Sequence, residues 1–134
     1  MRRAAMCCCA AEPTHFAGKI RMNSNMGDLS AKSCTRLEPG SVPLGQAEID
    51  RLLSCLEGWE QSGSEIVKTF RFSNYYETLA FVNAGAWISH REDHHPDLLV
   101  SYNRCCVRYT THDAGGLSLN DFICAAKMDR LQRS

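Results

Sequence analysis

His90-Arg91-Glu92-Asp93-His94-His95-Pro96-Asp97, Leu98-Leu99-Val100-Ser101-Tyr102-Asn103-Arg104-Cys105-Cys106-Val107-Arg108-Tyr109 and Thr110-Thr111-His112-Asp113-Ala114-Gly115-Gly116 run on without interruption, and their reading decides the fold. Pro96 disfavours the helical conformation at the residue before it, so a helix arriving from upstream stops at the histidine pair. Beyond it, Leu98-Leu99-Val100 and residues 105–111 read as strands joined through Tyr102-Asn103-Arg104, a hairpin. The stretch also holds four of the five histidines, all within 23 residues. Histidine has an unperturbed pKa of about 6.5, the nearest of any side chain to neutrality. Imidazoles grouped with carboxylates point to proton transfer or metal ligation.

Working outward, Tyr75, Leu79, Val82 and Ala86 fall on one helical face, and His90 continues it. Before that helix, residues 59–62 and 65–72 read as two short strands about Gly63. Further upstream, Ile49, Leu52, Leu53 and Leu56 mark an amphipathic helix that Gly58 is placed to terminate. Downstream, Ser118 with Asp121 three residues later forms a capping box that opens a last helix, with Leu119, Phe122, Ile123 and Ala126 on its inner face. The order is α-β-β-α-β-β-α. Strands joined as hairpins favour an antiparallel sheet, so the class is α+β, with four antiparallel strands and the helices on one face.

The chain of 134 residues is one domain with a tail, and its formal net charge is zero. Zero net charge argues against a surface built to grip nucleic acid directly. The uncharged run 78–89 is too short to span a bilayer, which takes about 20 apolar residues, so no membrane partner is expected. Charge is uneven: residues 1–36 carry six basic and two acidic side chains, leaving nine against thirteen for the rest. That head lacks the periodicity of an ordered element. The break at Glu38-Pro39-Gly40 therefore divides a basic extension, residues 1–40, from a folded domain, residues 41–134. The extension reads as a disordered or targeting segment; an organelle transit peptide and lipidation at Cys7, Cys8 and Cys9 are its other readings.

Eight cysteines occur, in contiguous runs with no C-x-x-C pair. Cys105 and Cys106, adjacent on a strand, point to opposite faces and cannot bridge each other. A reducing compartment, the cytoplasm, fits this usage, with Cys55, Cys105, Cys106 and Cys124 as small buried hydrophobes.

One series is specific in its spacing. His94-His95-Pro96 is followed after five residues by Tyr102, after nine more by His112 and after eight more by Asp121, with Ala114-Gly115-Gly116-Leu117 behind the last histidine and Gly58-Trp59 upstream. From about Gln46 to the C-terminus the chain resembles the pterin-4a-carbinolamine dehydratases. The resemblance implies a hydro-lyase that removes water from 4a-hydroxytetrahydropterin to give quinonoid dihydropterin, recycling the tetrahydrobiopterin cofactor of hydroxylases. It implies no cofactor or metal of the enzyme's own, and assembly as a homodimer or homotetramer. By position, His94, His95 and His112 match the family's catalytic histidines: His94 and His112 as the acid–base pair, His95 positioning the hydroxyl. Asp93, Thr110, Thr111 and Asp113 match residues that meet the pterin edge. Trp59 matches a tryptophan near the pocket mouth, and serves equally as a core anchor. Asp121, explained by the capping box, reads as structural.

The chain departs from the family at one place. His90 stands where the family usually has Glu, with Glu92 two residues on. Two other readings compete. His90 and His94, at i and i+4 on a helix, with His112, suggest a His-ligated zinc enzyme, although there is no H-E-x-x-H. Some family members are also dimerisation cofactors of transcription factors, which implies a protein-binding helical surface.

Overall fold

The structure, a computed structural model, describes residues 28–133. The targeting and lipidation readings of the head at Cys7, Cys8 and Cys9 lie outside the described residues. In chain order the elements are α1 (Gln46–Leu53), β1 (Glu60–Ser62), β2 (Glu65–Arg71), α2 (Tyr75–Glu92), β3 (Asp97–Ser101), β4 (Arg104–Tyr109) and α3 (Leu119–Gln132). Short 3-10 turns occupy Leu29–Ala31 and His112–Ala114.

The strands form one antiparallel sheet in the order β1-β2-β4-β3. Alternation decides its two faces, because side chains two residues apart share a face. Ile66 and Phe70 on β2 pair with Tyr109 and Cys105 on β4, and all four are buried. Leu98 and Val100 on β3 join the same face opposite Val107 and Cys105. Leu99, between them, points away and is exposed. The helices cover the inner face, as the α+β reading expects. Each large apolar side chain buried there contributes about 1.5–3 kcal/mol relative to remaining in water. An aromatic chain runs through it: Trp59 meets Phe70 edge-on with centroids 6.0 Å apart, and Phe70 meets Phe81 at 4.6 Å.

The helices differ from the sequence reading in which side they bury. In α2 the buried positions are Thr78, Phe81 and Gly85, not the Tyr75–Leu79–Val82–Ala86 face. Both sides of this helix are apolar, so periodicity alone could not select the inner one; Tyr76 and Trp87 stay exposed. Gly85 decides the packing, since a Cβ there would stand 2.8 Å from Met128 Cε of α3. α1 ends at Leu53, earlier than Leu56, and the chain turns through Gly58 at φ 74°. α3 is buried nearly all round, although Leu119, expected inside, is 38% exposed. Cys105 and Cys124 are buried as expected; Cys55 is exposed and Cys106 half-buried.

The enclosure of α3 has a source upstream of the Pro39-Gly40 break. Leu29 is buried, Lys127 donates to Ser30 O, and Asn120 exchanges two hydrogen bonds with the backbone of Thr35. Cys34 N–H donates to Glu92 at 2.8 Å. Residues 28–36 thus form a strap across α3 and the end of α2, and the domain's contacts run past the boundary expected at residue 40.

Candidate active site

α2 delivers the histidine pair. Asn74 caps its start by accepting the Glu77 N–H at 2.9 Å. Its end is set by Asp93, which takes the left-handed conformation at φ 50° and donates its N–H to Ser89 O. Asp is among the few L-residues that adopt this conformation readily. The reversal sends successive side chains to opposite sides: His94 turns in toward α3, while Asp93 and His95 remain exposed. The His94 side chain is 13% exposed, and its ring stacks on Tyr109 at 5.7 Å between centroids and 13° between planes.

Asp121 is the residue His94 meets. Its carboxylate is fully buried, and Oδ1 lies 2.6 Å from His94 Nε2. Oδ2 accepts the Ser118 N–H at 2.8 Å and the Thr111 hydroxyl at 2.8 Å. The Ser118 hydroxyl accepts the Asp121 N–H, completing the capping box, and stands 2.7 Å from Thr111 Oγ1. The protons can be followed through this network: Ser118 donates to Thr111, which donates to Asp121. A buried carboxylate in acceptor-only form selects the His94 tautomer that carries its proton on Nε2. Nδ1 then holds a lone pair.

His112 follows Thr111 directly and opens the turn His112–Ala114, which closes with Thr111 and Gly116 paired as an isolated bridge. Gly115 there has φ 70°, and a Cβ on Gly116 would stand 2.9 Å from Pro43 Cβ. His112 and Asp113 are exposed, and neither side chain, nor that of His95, is committed to a hydrogen bond among the described residues. Thr111 is buried in the Asp121 network. The Thr110 hydroxyl donates to Ser64 O at 2.8 Å.

Trp59 is 5% exposed, and its indole N–H is held by Asp129, with Oδ1 at 3.1 Å. It packs against Tyr109 from the core, and this placement favours the anchor among its two readings. Glu92 does not substitute for the family's Glu at position 90, because Lys127 and Cys34 N–H occupy it. Burial pushes its carboxyl up, and those two partners outweigh the burial and hold it below the usual glutamate range. His90 is exposed beside Trp87, with centroids 5.6 Å apart. Burial pushes the Tyr109 phenol well above its ordinary range, so the ring behind His94 stays neutral. Among the described residues no three His, Cys, Asp or Glu side chains are grouped so as to hold a metal ion.

Sequence reasoning missed the second role of Asp121. The signal was present: the residue belongs to the histidine series, and a capping box uses only one of its two oxygens.

The model of the family described as pterin 4 alpha carbinolamine dehydratase matches residues 42–131. A protein of Nitrosospira multiformis named as a pterin-4-alpha-carbinolamine dehydratase is 58% identical over 110 residues, covering 82% of this chain and 97% of the relative. An aligned stretch of 110 residues in a chain of 134 necessarily takes in the strap with Leu29 and Cys34. A relative of the same name from Xanthomonas campestris pv. campestris is 64% identical over 105 residues, covering 77% of this chain and 89% of that protein. Among solved structures, the transcriptional coactivator/pterin dehydratase of Brucella melitensis superposes with a TM-score of 0.65 at 28% identity, over 66% of this chain and 97% of its own. With the match running through the histidine pair, the Thr111–His112 turn and Asp121, the chain belongs to the pterin 4 alpha carbinolamine dehydratase family.

Proposed function

We propose that this chain dehydrates 4a-hydroxytetrahydropterin to quinonoid dihydropterin by histidine acid–base catalysis, and so recycles a tetrahydrobiopterin cofactor. The reaction removes the hydroxyl from C4a and the proton from N5, forms the C4a=N5 double bond and releases water. It needs one group to accept a proton and another to donate one. The observation that carries the reading is the His94–Asp121 hydrogen bond of 2.6 Å. It leaves the His94 Nδ1 lone pair as the base for N5–H. The Asp121 carboxylate then stabilises the imidazolium that forms, the role of a buried aspartate behind a catalytic histidine.

His112, uncommitted on its turn, supplies the acid for the departing hydroxyl, and His95 positions that hydroxyl. Asp93, Thr110, Thr111 and Asp113 surround the pterin's amino-pyrimidine edge, Thr110 through its backbone. No step requires a redox centre, and among the described residues the grouping of side chains lends the zinc reading no support.

Self-association as a homodimer or homotetramer belongs to the same proposal. Tyr76 at 83%, Trp87 at 63% and Leu99 at 67% exposure leave apolar surface on α2 and on the edge strand β3, where a second copy fits. The same helical face would serve a transcription-factor partner; the Brucella protein is named a transcriptional coactivator as well as a pterin dehydratase. No helix among the described residues is long and apolar enough to cross a membrane. The five described cysteines are free thiols, which supports a cytoplasmic setting.

The test is stopped-flow absorbance of synthetic 4a-hydroxytetrahydropterin with and without protein, before and after exhaustive chelation. Acceleration that survives chelation is expected. Activity lost with chelator and restored by zinc would replace the proposal with the metal reading.

A further inference from the structure

One titratable cluster is not used by the dehydration. Cys34, on the strap, and Cys124, on α3, place their Sγ atoms 3.5 Å apart across a sequence separation of 90 residues. A disulfide needs about 2 Å between sulfurs, so the two must approach by about a further 1.5 Å to bond. Both are free thiols; Cys124 is fully buried, whereas Cys34 is half-buried and reachable from solvent. The remaining described cysteines show no such approach: the sulfur of Cys55 is turned to Arg51 O, and Cys105 and Cys106 lie on opposite faces of β4.

We propose that Cys34 and Cys124 are a modification site, a thiol pair that a peroxide converts reversibly into a disulfide fastening the strap to α3. Peroxide first oxidises the accessible Cys34 thiol to a sulfenic acid and is itself reduced to water. The Cys124 sulfur then attacks Cys34 sulfur; the S–S bond forms, the sulfenic hydroxyl leaves, and with the thiol proton it becomes a second water. Two electrons pass from the sulfurs to the peroxide, and a dithiol reductant returns them. The Cys34 hydrogen bond and burial both push the Cys124 thiol up, so the second step is the slow one. This suits a pair that stays reduced in ordinary cytoplasm and responds to sustained oxidant.

The position gives the bond a consequence. Cys34 N–H holds Glu92, two residues before His94, and Cys124 stands one helical turn after Asp121. The disulfide therefore joins α3, which carries Asp121, to the strap, and the strap in turn holds the end of α2 ahead of His94 through the Cys34–Glu92 hydrogen bond.

The experiment treats the full chain with hydrogen peroxide, blocks free thiols by alkylation and maps tryptic peptides by mass spectrometry. Cleavage isolates Cys34 in residues 33–36 and Cys124 in residues 109–127, each the lone cysteine of its peptide. The expected product is these two peptides joined, lighter by two hydrogens, and separated again by dithiothreitol. The oxidised protein should melt on the order of 10 °C higher, a gain absent from Cys34→Ser. Cys34→Ser alters only the accessible partner; Cys124→Ala checks the buried one. Recovery of both peptides alkylated while other cysteines are oxidised would overturn the proposal. So would either cysteine joined to a different partner, or a linked product whose melting temperature is unchanged.

Discussion

His94 Nε2 and Asp121 Oδ1 lie 2.6 Å apart, and the other oxygen of the same buried carboxylate holds the start of α3 through Ser118 N–H. One side chain thus performs two tasks, fixing a helix terminus and fixing an imidazole. The two are separable by substitution. Asp121→Asn keeps an oxygen to accept the Ser118 N–H but removes the charge behind His94. It should fold and lose roughly 10²- to 10⁴-fold in turnover. Asp121→Ala removes both functions and should also destabilise the fold by roughly 1–3 kcal/mol, as expected when buried donors such as the Ser118 N–H lose their acceptor. Urea unfolding alongside turnover makes the distinction. Equal stability for the two variants would deny the capping role.

The strap makes a second prediction. A chain beginning at Asp28 keeps every contact described for α3 and should melt as the full protein does. A chain beginning at Ser41 uncovers Asn120, Cys124 and Lys127 and leaves Glu92 without its Cys34 N–H. It should unfold at lower temperature or aggregate. Identical melting of both truncations would show that the strap is dispensable.

Glu92 gives the strap a pH dependence. Its carboxyl is held below the ordinary value of 4.5 by Cys34 N–H and Lys127 against the opposing effect of burial. A depressed carboxylate contributes stability above its unfolded pKa and loses it as pH falls through the folded value. Melting temperatures of the native protein and Glu92→Gln should therefore differ near neutrality and converge below about pH 4.5, the unperturbed region. Parallel curves throughout that range would count against the ion pair.

Tyr76 and Trp87 test the proposed assembly. Tyr76→Glu with Trp87→Glu places charge on the exposed side of α2 while leaving Phe81 and Gly85 undisturbed. Light scattering should show a smaller particle than the native protein. An unchanged mass would move the interface elsewhere.

Much of this was legible in the residues. Pro96 signalled that α2 stops nearby, although the helix ends earlier, at Glu92, through the left-handed Asp93. The Ser118–Asp121 pair marked the start of α3, and the hairpin about Tyr102 was readable from its flanking strands, each by a local signal. What was not legible depended on distant partners. The inner side of α2 is chosen by Gly85 against Met128, 43 residues apart in sequence. Both sides carry apolar groups, so the pattern could not choose. The strap carries too few apolar residues to announce itself, and it is held mainly by polar contacts to Asn120, Glu92 and Lys127. At the site, the histidine series nominated candidate groups, whereas the pairing of His94 with Asp121 required the fold to bring α2 and α3 together.

The measurement that bears most directly on the central claim is the turnover of 4a-hydroxytetrahydropterin by His94→Ala, His112→Ala and their double variant, with thermal unfolding recorded for each. Each single change should lower turnover by about 10²- to 10⁴-fold. The double variant should fall close to the uncatalysed rate, without the multiplied loss of independent groups. His90→Ala, made beside them, should leave turnover nearly intact, since His90 is exposed against Trp87. Folded His94 and His112 variants with native turnover, or a His90→Ala variant as impaired as His112→Ala, would contradict the account.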